Sequence, residues 1–182
     1  NPDVHSSFRN SVEPVYRELV GLLLATDEME IVSQANLEEA REVMESLQVA
    51  ELNNFFREAC LDTQEVNIDH LDRQAAVIYP IILSDRLEVI LSLPNQTLQH
   101  YSTKISQTEL ELIIEQFRHN LVIRSRRNFY RSAQKLYDLI IRPAVDDLTK
   151  SNLKTLVFIP DGAFRNIPLS ALYDGKHYLL ED

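Results

Sequence analysis

Few side chains in this sequence have intrinsic reactivity. One cysteine, Cys60, and five histidines, His5, His70, His100, His119 and His177, are all it offers for nucleophilic or imidazole chemistry. A thiol attacks as the thiolate and needs a basic or cationic neighbour. Cys60 instead closes an apolar helical stripe, the setting of a buried structural thiol. His70 sits in Asp69-His70-Leu71-Asp72, which has three ligand-type residues but no helical histidine pair, so no metal site is expected. His5, His100 and His119 join no constellation. Asp161 and Arg165 directly follow the apolar run at residues 155–159. If that run is a strand of an open α/β sheet, both lie at its carboxyl end, where ligand sites gather. They are candidates for a cleft or for a clamp on the loops around it. The plainer alternative is that Asp161-Gly162 makes an ordinary turn and Arg165 pairs with a nearby acid.

Charge narrows the partners. Eighteen Lys and Arg stand against 28 Asp and Glu, a net charge of −10, which argues against a general nucleic-acid binder. Thirteen of the acids, with only Arg17, Arg41 and Arg57 as bases, fall between Glu13 and Glu65. Residues 118–135 are the reverse, carrying Arg118, Arg124, Arg126, Arg127, Arg131 and Lys135 without an acid. Most such runs are solvated faces. Otherwise Arg124, Arg126, Arg127 and Arg131 form a patch for an acidic protein partner, the acidic helices of this chain included. Nucleic acid fits poorly, because only Phe129 and Tyr130 could supply stacking; such binding would also fall steeply with salt.

Three glycines, Gly21, Gly162 and Gly175, cannot build a glycine-rich phosphate loop, so Walker and Rossmann sites are excluded and no cofactor is expected. No stretch approaches the roughly 18 apolar residues of a membrane span, and Asn1-Pro2-Asp3 does not open a signal peptide. The lone cysteine fits a reducing compartment. Together these predict a cytoplasmic chain without a membrane partner.

Among the elements that must position these residues, two helices come first. Val12, Val15, Tyr16, Leu19, Leu22 and Leu23 recur at helical spacing, which predicts one apolar face. Leu37, Ala40, Met44 and Leu47 restart the pattern, and Leu52, Phe55, Phe56 and Ala59 continue it on a drifted stripe. Asn36 is the expected cap. Near Ala75 the period changes. Residues 75–83 predict a strand, with Pro80 pointing to an edge or bulge; residues 87–93 and 98–102 complete an antiparallel meander. Ser106 and Glu109 form a capping box before a helix carrying Leu110, Ile113, Ile114, Phe117 and Leu121. A second helix follows with Tyr130, Ala133, Tyr137, Ile140 and Ala144, which Pro143 should break. The run at residues 155–159 predicts a parallel strand buried on both faces. The fold class is thus α+β to α/β, with a helical hairpin over residues 1–72 and a mixed domain over 73–182.

The stretch from Thr155 to Gly175, with Pro160-Asp161-Gly162, Arg165 and Pro168 as its sharpest part, resembles the opening of a CHAT domain, a caspase-like domain associated with tetratricopeptide repeats in filamentous cyanobacteria. The segments at 51–60, 82–89 and 134–143 are similar to the same family. The resemblance implies a peptidase of the caspase and separase kind, with a catalytic His and Cys on later parallel strands. On that reading the chain holds the end of a helical regulatory region and the first part of the caspase-like domain, truncated before either residue. It contains no catalytic residue of its own. Cys60 and His177 do not match the family's pattern, since His177 precedes Tyr178 where a glycine is expected. The chain would couple a helical sensor to the missing catalytic half. The alternative is a non-enzymatic interaction or scaffold module. Protein partners are expected through the helical region, and self-association through unpaired strand edges.

Overall fold

A computed structural model describes residues 11–26, 31–55, 74–123 and 126–180. The chain divides into two compact units, Asn1–Ile68 and Asp69–Asp182. Cys60 and His70, like His5, lie outside the described residues.

In the first unit, helix α1 (Glu13–Leu23) packs against α2 (Gln34–Phe55). Leu37, Ala40, Met44 and Leu47 are buried as their spacing predicts. The expected face of α1 is used only in part, with Tyr16 and Leu23 half-buried. Val20 and Leu24 are buried, while Val15, Leu19 and Leu22 are exposed. The apolar face of this helix is wide, with Tyr16 and Leu23 between the exposed residues and the buried pair, and periodicity alone does not say which part is covered. Leu52 is also exposed, while Phe56 and Ala59 fall outside the described residues. The cap differs too. Ser33 Oγ accepts from the Asn36 N–H at 3.2 Å. Asn36 Nδ2 instead donates to the Leu23 carbonyl at 3.1 Å, satisfying one of the acceptors a helix end leaves open.

The second unit is a four-stranded mixed sheet in the order β3-β2-β1-β4, where β1 is Ala75–Ile82, β2 Arg86–Ser92, β3 Gln99–Lys104 and β4 Thr155–Phe158. The first three form the expected antiparallel meander, with Val77 opposite Ser92 and Ile90 opposite His100. Leu83 N–H closes the Ser84-Asp85 turn on the Arg86 carbonyl at 3.0 Å. Strand β4 pairs parallel with β1, from Ala75 with Thr155 to Ile78 with Phe158.

Two expectations about these strands are corrected. Pro80 lies in the central strand, not at an edge or bulge. Residues two apart on a strand turn their amides to the same side, and Ile78 accepts from Ile159 N–H on the β4 side at 3.0 Å. Pro80 therefore faces the same side one step beyond the β4 ladder, where no donor is needed. The strand buried on both faces is β1, all eight of whose residues are buried, whereas β4 is only half-buried. Among the described strands β4 stands at the end of the sheet, so its outer side lacks a neighbour.

Helices α3 (Gln107–Val122) and α4 (Arg126–Ile140) cover one face. Ser106 Oγ accepts from Glu109 N–H at 3.2 Å, as the capping box requires. Leu110, Ile113, Ile114 and Phe117 meet Ala133, Leu136, Tyr137 and Ile140 above Ile78, Val89 and Leu91 in one core. Tyr130, expected in that core, is 38% exposed. Pro143 acts as predicted: α4 ends at Ile140, a 3-10 turn spans Arg142–Ala144, and α5 (Val145–Lys150) restarts the helix. No helix among the described residues is long and apolar enough to cross a membrane.

Candidate functional site

The site begins where β4 stops. Past its last ladder bond the chain turns through Pro160 to Asp161, whose side chain reaches back to β1. Asp161 Oδ2 accepts from the Ile82 N–H at 3.0 Å, and the residue is 1% exposed. Ile82 is two residues beyond Pro80 and faces the same side, so the carboxylate takes the place of a ladder acceptor. Gly162, at φ 48°, admits the left-handed turn into a 3-10 turn at Gly162–Asn166, which buries Phe164 completely. Arg165 is exposed, and its Nε donates to the Pro160 carbonyl at 3.1 Å. Both predicted residues thus sit at the carboxyl end of β4 and are tied to backbone. Such an arrangement holds a loop in place.

Downstream, residues 172–179 form a hairpin on α4. Leu179 N–H bonds the Leu172 carbonyl at 2.9 Å, and Tyr173 pairs with Tyr178. Asp174 Oδ1 accepts from the amides of His177 and Lys176, in that order of effect, and they hold its carboxyl below the usual range. A side chain at Gly175 would meet Gln134 Nε2 at 3.2 Å. Arg142 fastens the hairpin: its Nη2 donates to the Asp174 carbonyl at 2.9 Å while its Nε donates to Asp138 at 2.8 Å. The guanidinium also lies 5.0 Å from the Tyr137 ring centroid, within cation–π range. His177 is exposed on this turn.

The predicted basic patch is described in part. Arg124 lies outside the described residues, Arg126 and Arg127 open α4, and Arg131 is exposed on it. Phe129 and Tyr130 are engaged with Phe117, Tyr173 and Tyr178 at centroid distances of 4.8–6.3 Å. They pack a tyrosine-rich cluster, which is not the arrangement of an open stacking platform.

One constellation escaped the sequence reading. Glu88, in β2, is fully buried; it accepts from Arg86 Nε through one oxygen and lies 2.8 Å from His100 Nε2 through the other. Burial pulls the Arg86 guanidinium down, but the hydrogen bond and charge of Glu88, with Asp85 beside them, carry it above its ordinary value. His100, expected to join no constellation, is corrected by this pairing. The alternation Leu87-Glu88-Val89 was a signal, since it sets Glu88 apart from the apolar face. The partner became visible only with the β2–β3 register. On the other face Tyr101 donates to Asp147, and burial followed by that bond raises its phenol. Among the described residues no group of three or more His, Cys, Asp and Glu could hold a metal.

A model of the CHAT domain matches residues 130–182, the span that holds most of α4, the break at Pro143, β4, the clamped loop and the hairpin. That family is related to caspase-like peptidases. No curated protein matches the chain.

Proposed function

From a chain whose residues 130–182 match the CHAT domain, we propose that it forms the opening of the caspase-like fold in a cysteine peptidase and couples a helical sensor region to the catalytic half. One observation carries this reading: within the matched span, β4 runs parallel to β1 and leads at once into the loop held by Asp161. Reactive groups at the carboxyl ends of parallel strands need loops fixed to fractions of an ångström. In this reading Asp161 and Arg165 are positioning residues for those loops. The cysteine thiolate and histidine are borne by later strands, with backbone amides holding the oxyanion.

The direct test is to sequence the source coding region past Asp182 by about one domain length, roughly 150 codons. Strand–His-Gly and strand–Cys segments are expected, and a Cys→Ala variant of the encoded protein should then lose peptidase activity. A frame that closes at Asp182, or runs on without the pair, overturns the peptidase reading in favour of an interaction module.

A further inference from the structure

The chain contains two Asp–Gly bonds, Asp161–Gly162 and Asp174–Gly175, and the fold treats them oppositely. Such a bond is open to imide closure, because a residue without a Cβ leaves its amide nitrogen unshielded. Asp161 is 1% exposed, and its carboxylate is held by the Ile82 N–H. Gly175 is exposed, and its N–H makes no hydrogen bond among the described residues.

We propose that Asp174–Gly175 is a site of spontaneous isoaspartate formation and that Arg142 steers the imide toward the rearranged chain. This goes beyond the peptidase reading and does not depend on it.

The Gly175 nitrogen adds to Asp174 Cγ, and its proton leaves with the carboxyl hydroxyl as water, giving a cyclic imide. Asp174 Oδ1 accepts from the Lys176 and His177 amides. Those donors meet the charge that builds on this oxygen as the nitrogen adds. Water then reopens the imide at one of its carbonyls. Attack at Cγ restores aspartate. Attack at the main-chain carbonyl carbon gives isoaspartate, whose chain runs through Cβ and Cγ. The former carbonyl oxygen then belongs to a free α-carboxylate. Arg142 Nη2 donates to that oxygen at 2.9 Å, while its Nε is held on Asp138 at 2.8 Å. The guanidinium thus polarises this carbonyl for attack and then faces the carboxylate formed there, and a charge-assisted pair is stronger than the bond it replaces. The product also carries an extra methylene in the turn that joins Tyr173 to Tyr178.

To test this, the full chain is kept folded at body temperature for weeks in heavy-oxygen water, beside a sample in urea. Each imide opening fixes one heavy oxygen, so tandem mass spectrometry of the peptides counts turnover at each aspartate and separates aspartate from isoaspartate. A buried group reacts only when its segment opens. In the folded chain Asp174 should therefore take up label at least about tenfold faster than Asp161, and in urea the two should converge. The isoaspartate share of labelled Asp174 should be higher in the folded chain than in urea, and Arg142→Gln should lower it toward the urea value. No label at Asp174, or equal labelling of both aspartates in the folded chain, overturns the site. An isoaspartate share that is the same folded and in urea overturns the part given to Arg142, whatever the variant does to the hairpin.

Discussion

Asp161 and Glu88 are both buried carboxylates, but they answer to different partners, and their substitutions should differ accordingly. Asp161 satisfies a backbone amide. Removing it leaves the Ile82 N–H buried without that acceptor, so Asp161→Ala should cost about 1–3 kcal/mol in urea unfolding. Asp161→Asn, which keeps an oxygen in place, should cost less; equal losses would exclude the amide bond as the cause. Glu88 answers to charged groups in Arg86 and to His100. Glu88→Ala takes that acceptor from Arg86, which keeps Asp85 and part of its contact with water, and should cost about 1–3 kcal/mol. Asp174 responds to pH. Its carboxyl is held below the ordinary range by two backbone amides, so its support of the hairpin is complete above about pH 4 and is lost as pH falls through the lowered value. The protection of the Lys176 and His177 amides, taken as exchange relative to the intrinsic rate at each pH, should therefore fall in acid; protection that stays constant down to the unfolding transition would refute this.

Among the elements, α3 and α4 form the lid of the core, and Phe117 is its largest fully buried side chain. Phe117→Ala should cost about 3–5 kcal/mol in thermal or urea unfolding, and a loss below 1 kcal/mol would mean the helices close over the gap. Helix α3 was legible in the sequence because its apolar residues fall on one face and Ser106 announces its start. The strands were legible to within about two residues for a similar reason, a clean change of period near Ala75. Helix α1 was legible as an element, but the buried part of its face was not. Its apolar face is wide, and the part covered is chosen by α2, which a reading of α1 alone does not include. Asn36 misled in the same way, its side chain going to Leu23 across the helix pair and leaving the cap to Ser33. At the candidate site the motif from Pro160 to Arg165 was visible, but the partner of Asp161 lies 79 residues earlier, and no local spacing reports it. The Glu88–His100 pair was hidden likewise behind a strand register.

For the molecule as a whole, the two sides of the sheet end differently. Strand β3 presents Ser102 and Lys104 exposed, features that discourage another strand. Strand β4 presents Leu156, Val157 and Phe158 with neither charge nor proline among them. We expect the chain to self-associate through β4, seen as a concentration-dependent sedimentation coefficient; a single monomeric species up to millimolar concentration, unfolding cooperatively, would remove the idea. Salt has little hold on an apolar strand contact, so the association should persist at high ionic strength.

The strand order β3-β2-β1-β4 also governs when the molecule becomes whole. Leu83 and Arg86 meet across a two-residue turn, whereas Thr155 must find Ala75 across the length of the intervening chain. Loop closure of that kind is slow relative to hairpin formation. We therefore expect the meander to stand first, with β1 open on one side while α3 and α4 settle. The loop that Asp161 fastens should be among the last parts to acquire protection from hydrogen exchange during refolding, which pulse labelling would check. During synthesis the same interval leaves β1, the most apolar strand of the sheet, waiting for its parallel partner to leave the ribosome.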